Sequence, residues 1–500
     1  MTAASFIHKG IDAASRDRLT EAEQCFRQAF LLAKQEGGSF NLGAANLIRL
    51  LYQQKKSQEV VNFIEEIGMM ELLQLPKICI LMAAESTFID RQFNTSVILY
   101  ENLYKAYPRE KAILLGYSQT MLAMGQLVKS RKILQDHLNF DGPDAEVMTN
   151  LAIIMLESGH IKESEVLYRK ALGLAPNQFI THYNLGKFLQ LHGSLSEAIS
   201  EYDACLKLVP KAVEAVMAKA EALQEIGKHK ESHKLYSETL QEGLLTRAQS
   251  ISLAKPLIVT ALEQNDFVTC KHYLASLSAE VRVDFQIKSI IYDLPTSLQD
   301  EYGGGAHLYD PNQLVSTKVL IKETDFLLKI TDYVITNESL IKNRPDKPTR
   351  GGSQTHEIME SQNKLIAELK EILKQEMIVY VNQLPESIKP PPNARYQISG
   401  WGVCLESGGR QIRHTHPEAL ASAVLYLSIP KDMNSNDEKQ GSLYFSNWNG
   451  DPAKRSLYVV PKEGKLVLFP SYMPHETVPF ESDQKRICIA LNLLQINPKQ

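Results

Sequence analysis

No apolar run in this chain reaches the ~18 residues of a membrane-spanning helix, so no transmembrane segment is expected. The opening stretch, residues 1–24, lacks an apolar h-region, and no secretory signal is expected either. No CxxC occurs. The six cysteines (Cys25, Cys79, Cys205, Cys270, Cys404 and Cys488) are scattered and fit free thiols in a reducing cytoplasm. Neither sign of charge dominates: 54 basic against 58 acidic residues leave −4, too mild to imply a nucleic-acid or membrane-surface partner. What remains is ordinary for a soluble globular protein, 44% hydrophobic and 22% charged, and 500 residues suggest two or three domains.

The first half is periodic. Gly125, Gly159, Gly193 and Gly227 recur every 34 residues. Tyr168, Tyr202 and Tyr236 keep that period, as do Leu172, Leu206 and Leu240, Pro176 and Pro210, and the small residues Ser118, Ala152, Gly186 and Ala220. The small residues let two helices approach, the glycine ends the first helix in a left-handed conformation, and the proline stops the second. This pattern resembles the tetratricopeptide repeat and implies an all-α solenoid over 1–280. Residues near 5–36, 40–72 and 77–108 show helical pairs in weaker register, and 246–278 reads as one more pair capping the array. His182, His192 and His229 fall on repeat helices or turns and read as structural. Such an array usually holds a protein or peptide partner, although no contact residue can be singled out.

Past about residue 285 the period vanishes. Residues 301–313 and 344–357 read as loops, rich in Gly, Pro and polar residues. A helix is expected over 357–383, with Ile358, Leu365, Ile366, Leu369, Ile372, Leu373, Met377 and Tyr380 as its apolar stripe. Strands are expected at 396–406, 422–430, 441–447, 465–471 and 486–494, the last being apolar enough to read as helix too. Short strands after a long helix suggest a jelly roll with flanking helices over 285–500.

The chemistry concentrates there. On a strand, His414 and His416 point to one face and could chelate one ion. His475 lies 59 residues on, behind an apolar strand, and Arg486 follows eleven residues later. Three ligands on one face leave open positions for dioxygen and a bidentate cosubstrate. Arg486 offers a planar fork to a carboxylate. Zinc is the competing metal, and a zinc hydrolase or isomerase, or a barrel without metal, would use the same frame. Arg350 and Gln354 either line the pocket or sit in a plain surface loop. Trp401 and Trp448 read as core or pocket wall.

In TRGGSQT (349–355), SGWGVCLESGGRQIRHTHPEALASAVLYLSIP (399–430), GKLVLFPSYMPHETVPF (464–480) and KRICIALNLL (485–494), the chain resembles bacterial Fe(II)/2-oxoglutarate-dependent oxygenases fused to tetratricopeptide repeats, within the superfamily of the prolyl hydroxylases. The resemblance implies a dioxygenase that couples 2-oxoglutarate decarboxylation, with Fe(II) and dioxygen, to hydroxylation of a C–H bond. By motif position it implies His414 and His475 as ligands, Arg486 as the salt-bridge partner of the far 2-oxoglutarate carboxylate, and Tyr426 as a further donor. The superfamily uses His-x-Asp/Glu where this chain has His416. Either His414, His416 and His475 form a three-His centre, which the HTHP register favours, or His416 and Glu418 supply the His-x-acid pair. The missing acid keeps open an inactive barrel serving as an interaction scaffold.

Overall fold

The computed structural model describes residues 2–36, 41–241, 245–264, 266–277, 285–292, 294, 296–344, 347–392, 394–416, 418–433, 437–446 and 456–496. Trp448 lies outside them. The chain forms two compact units, Met1–Ile154 and Met155–Gln500.

Helices come in pairs up to residue 276, apart from the single turn Met69–Leu72. In the first unit they are Ala3–Ser15 with Leu19–Gln35, Asn41–Gln53 with Ser57–Ile67, Lys77–Ile89 with Phe93–Ala106, and Lys111–Ala123 with Leu127–Asp141. The next pair, Ala145–Glu157 with Ile161–Leu174, spans the division. The second unit continues with Phe179–Leu191 and Leu195–Leu208, Val213–Glu225 and His229–Gln241, and Arg247–Glu263 and Phe267–Ser276. The 34-residue glycines do what their period implied. Gly125, Gly159, Gly193 and Gly227 have φ between +74° and +81°. The amide after each bonds back to a carbonyl in the last turn of the first helix, as in Gln126 N to Met121 O and Lys228 N to Leu223 O, both 2.8 Å. The small residue of the first helix also matters: a Cβ on Gly186 would stand 2.6 Å from the Tyr202 ring.

The weak-register pairs use the same turn without glycine. Asp17, Lys55 and Arg91 have φ of 57–60°, and the next amide again closes on the preceding helix, as in Lys56 N to Leu51 O at 3.0 Å. The pair at 247–276 exists as expected, but it does not simply cap the array. Ile251, Ala254, Ile258, Cys270 and Leu274 belong to one apolar cluster that runs on through Leu369, Val403 and Leu493.

The strands are β1 (Ser316–Val319), β2 (Ile341–Lys342), β3 (Thr349–Gln354), β4 (Arg395–Gln411), β5 (Ala421–Ser428), β6 (Leu443–Phe445), β7 (Leu457–Val459), β8 (Lys465–Pro470), β9 (His475–Thr477) and β10 (Arg486–Ile496). A seven-stranded sheet runs β1-β8-β5-β10-β4-β3-β2 and a three-stranded sheet runs β7-β6-β9, all antiparallel, the two-sheet arrangement expected of a jelly roll. The ambiguous apolar run is the strand β10, buried in the middle of the large sheet, and continuous apolarity is what two covered faces require.

Three expectations need correction. Residues 301–313 are not a plain loop: the helices Thr296–Gly303 and Pro311–Leu314 and the 3-10 turn Ala306–Tyr309 take up most of them. TRGGSQT is not a loop: it is β3, paired to β4 with its register shifting between Arg350 and Gly352, where Gly351 has φ +64°. The long helix begins at Lys364, capped by the Asn363 side chain on Leu365 N, not at 357. Glu357 instead accepts from Met359 N and Gly400 N and holds a turn, so Ile358 is buried ahead of the helix, while Ile372 is exposed.

Candidate metal centre

Backbone pairing brings the three histidines together. His414 and His475 exchange both backbone hydrogen bonds at 3.0 Å as an antiparallel bridge, although they are far apart in sequence. His416 N donates to Ser471 O at 3.0 Å. The Ser471 hydroxyl donates to Ala419 O, so the segment after β8 is tied to the segment that carries His416. Tyr472 anchors that segment from below: its hydroxyl donates to Leu308 O at 2.6 Å, and its ring meets Phe285 and Tyr309 edge-on.

One ligand atom from each of His414, His416 and His475 lies within 4.8 Å of the others. Ring centroids are 4.3 Å apart for His414 and His475, 4.8 Å for His414 and His416, and 5.3 Å for His416 and His475. His414 Nδ1 sits 2.7 Å from Ile412 O and His475 Nδ1 3.0 Å from Met473 O. Each carbonyl selects the tautomer with its proton on Nδ1, which leaves Nε2 as the lone-pair donor. Burial holds His414 down to about 4 and, with His414 and Lys347 nearby, His416 down to about 3. Burial and the two other imidazoles keep His475 well below its ordinary value. All three are neutral at physiological pH, the form that binds a metal. Glu418 is exposed and is not part of this cluster. Trp401 lies beside it, its ring 5.6 Å from His416.

Arg486, the first residue of β10, is 1% exposed. Its Nε donates to Gly441 O at 3.0 Å, and its guanidinium lies over the Tyr426 ring, 4.9 Å from the centroid. Among the described residues no carboxylate forms an ion pair with it. Burying a guanidinium this way costs several kcal/mol, roughly, unless an anion joins it. Tyr426 is fully buried, its hydroxyl makes no hydrogen bond among the described residues although Arg486 lies close, and burial outweighs that cation and pushes its pKa up to about 12, so it stays a donor.

Sequence reasoning missed Thr477. It is 2% exposed, its hydroxyl also lacks a partner among the described residues, and it faces the same side of β9 as His475. The available signal was its i+2 spacing from His475. Gly441, whose carbonyl accepts from Arg486 Nε, was missed as well: a Cβ there would run into Met433 Sδ, so glycine leaves room for that thioether beside the arginine. Of the TRGGSQT pair, Arg350 turns outward onto Lys347 O and Thr349 O, whereas Gln354 is buried and accepts from the Thr349 hydroxyl. His182 is satisfied by Glu201 and Pro176 O, as a structural histidine would be.

The donor set fits the implied groups: three neutral imidazoles for a metal, and a buried cation with orphaned hydroxyls for a carboxylate. The family described as "Putative 2OG-Fe(II) oxygenase" matches residues 399–492, a stretch that holds all three histidines and Arg486. No curated protein matches. Among solved structures, a tetratricopeptide repeat protein from Parabacteroides merdae is 13% identical over 50% of this chain and 97% of its own, with a TM-score of 0.42. A Pseudomonas putida prolyl-4-hydroxylase is 18% identical over 38% and 98%, with a TM-score of 0.29. MamA is 19% identical over 32% and 92%, with a TM-score of 0.28. The chain thus joins an array of paired helices to a β-sheet region of which residues 399–492 match the 2OG-Fe(II) oxygenase family model.

Proposed function

We propose that this protein is an Fe(II)- and 2-oxoglutarate-dependent dioxygenase that hydroxylates a protein, peptide or other substrate recruited by its repeats. The working division is 1–280 for the array and 285–500 for the oxygenase barrel. The observation that carries the reading is a buried arginine with no carboxylate partner among the described residues, in the same domain as three converging neutral imidazoles.

His414, His416 and His475 would hold the metal, with their Nδ1 bonds fixing ring orientation for two of them. Arg486 would grip the far carboxylate of 2-oxoglutarate, with the Tyr426 and Thr477 hydroxyls as neutral donors. Bound iron, with the cosubstrate and dioxygen, supplies the oxidising power for a C–H bond. The chain supplies orientation and a dry interior. A triad without a carboxylate leaves the metal's charge uncompensated, which strengthens its hold on the anionic cosubstrate.

Among the repeats, a cleft of 390 Å³ lined by Tyr183, Lys187, Met217, Glu221 and Gln249 offers a place for a peptide partner. No described helix is long and apolar enough to cross a membrane.

The test is direct. Purified protein with Fe(II) should convert 2-oxoglutarate to succinate in an oxygen-dependent way, and His475→Ala should abolish it. Elemental analysis should find iron in preference to zinc. Wild-type protein that takes up Fe(II) but neither binds 2-oxoglutarate nor forms succinate would return the barrel to the scaffold reading.

A further inference from the structure

One cleft of 260 Å³ borders His414, one of the three candidate ligands, and the repeat array builds one of its walls. His414, Thr415 and Pro474 line one side. Val259 and Leu262 of the helix Arg247–Glu263, and Ile290 of the helix Phe285–Ile291, line the other. Both helices are set against the barrel by burial. Ile258 and Ile287 are fully buried in the shared apolar cluster, and Phe285 meets the Tyr472 ring at 5.1 Å, next to the segment that carries His475. The wall is therefore as fixed as the ligands opposite it.

We infer that this cleft is the primary-substrate site, that it admits a short, neutral alkyl group to the metal, and that Val259 and Leu262 of the last repeat pair determine which group enters. The inference rests on the dioxygenase reading. Three observations carry it. The cleft is lined by the ligand candidate His414, so a group inside it lies against one of the three imidazoles. Although Lys255, Ser289, Arg413 and Thr415 also line it, most of its exposed lining surface is apolar, which favours a C–H-rich occupant over a polar one. Its volume falls below the ~300–1,000 Å³ of pockets that enclose a whole drug-sized ligand, so it takes one side chain or a short alkyl segment. The repeats then do more than recruit: their last helix reads the group to be oxidised.

The experiment uses the full chain loaded with Co(II), which such sites bind more tightly than Fe(II) and which shifts and broadens the NMR signals of nearby protons. The charged members of the lining, Lys255 and Arg413, are both cations, so the probes are neutral and charge attraction cannot mimic binding. They are hexanol for a free alkyl chain and N-acetyl-leucinamide for a peptide side chain. Metal-dependent broadening of the methyl signals of either probe is expected, the stronger of the two identifying the source. Leu262→Trp, and independently the half-buried Val259→Phe, should weaken the broadening by at least about tenfold, the scale of one lost side-chain-sized apolar contact. Co(II) stoichiometry and 2-oxoglutarate affinity should stay unchanged. Broadening that persists in both folded variants overturns the proposal, as does its absence from wild-type protein that holds Co(II) and 2-oxoglutarate. Failure to hold Co(II) at all would instead strike the metal reading beneath it.

Discussion

Gly227, in the repeats, and Gly464, in the barrel, have nearly the same φ, +79° and +73°. Their surroundings differ. A Cβ on Gly227 would meet nothing within 4 Å, whereas one on Gly464 would run into the Ile321 carbonyl. Gly464 N donates to Tyr426 O, and its own carbonyl accepts from Leu320 and Ile321. The repeat turn answers to its own helix pair. The barrel turn answers to residues distant in sequence, one of them beside Arg486. Order is local in the array and shared in the barrel, so a change of equal chemical size should travel further in the barrel.

The strongest break of that contrast is at the metal. Replacing His475 by Ala removes one of three donors and should lower metal affinity by about a hundredfold or more, beyond the 10–100-fold typical of losing an outer-shell partner. Removing the His182 ring in the repeats should leave metal content unchanged, because its two nitrogens already serve Glu201 and Pro176. Elemental analysis of both variants checks this. Next in size is Arg486→Gln. It should weaken 2-oxoglutarate binding by about 2–5 kcal/mol, roughly thirtyfold or more, with metal retained. Calorimetric titration of metal-loaded protein reads it, and unchanged affinity would remove Arg486 from the cosubstrate pocket.

The same contrast explains what could be read from the sequence. The glycine-marked pairs were legible because their turn chemistry repeats every 34 residues. The earlier turns were not, because Asp17, Lys55 and Arg91 occupy the left-handed position at unequal spacing and carry none of its usual signature. In the barrel, β5, β8 and β10 were legible as apolar runs. β3 was not, because its Gly-Gly pair gives no alternation and its pairing is set by β4. The histidines and Arg486 stood out by residue type and spacing. Thr477 and Gly441 did not, since their roles depend on which strand each faces.

Glycine substitution sharpens the comparison directly. Gly464→Ala should cost about 3 kcal/mol or more, adding backbone strain to a steric clash. Gly227→Ala should cost about 1–2 kcal/mol, the left-handed penalty alone. Denaturant titration of each variant gives the difference, and equal costs would erase the distinction between local and shared order.

A charged junction gives a smaller, pH-dependent effect. Arg344, 7% exposed, donates to Glu157 at 2.8 Å and to His356 Nδ1 at 2.8 Å. Burial would raise the Glu157 carboxyl, but His356 and Arg344 outweigh it and hold it down to about 2. The folded pKa is below the ordinary 4.5. This contribution to stability is therefore present above 4.5 and lost as pH falls toward 2. Glu157→Gln should melt below wild type at neutral pH, and the gap should close through that window. A gap that stays constant in acid would show that the carboxylate charge adds nothing.

The least effect is expected where the array departs from its own rule. Lys55 is exposed, with φ +57°, at the position that glycine fills in Gly125 and Gly227. A lysine there carries the left-handed penalty, while a glycine gains extra freedom in the unfolded chain, and the two terms oppose. The first is larger, so Lys55→Gly should stabilise by about 0.5–1 kcal/mol, visible as a small rise in the denaturation midpoint. Loss of stability would mean that the Lys55 side chain contributes a contact outweighing its strained backbone, and that even this turn answers to more than its own pair of helices.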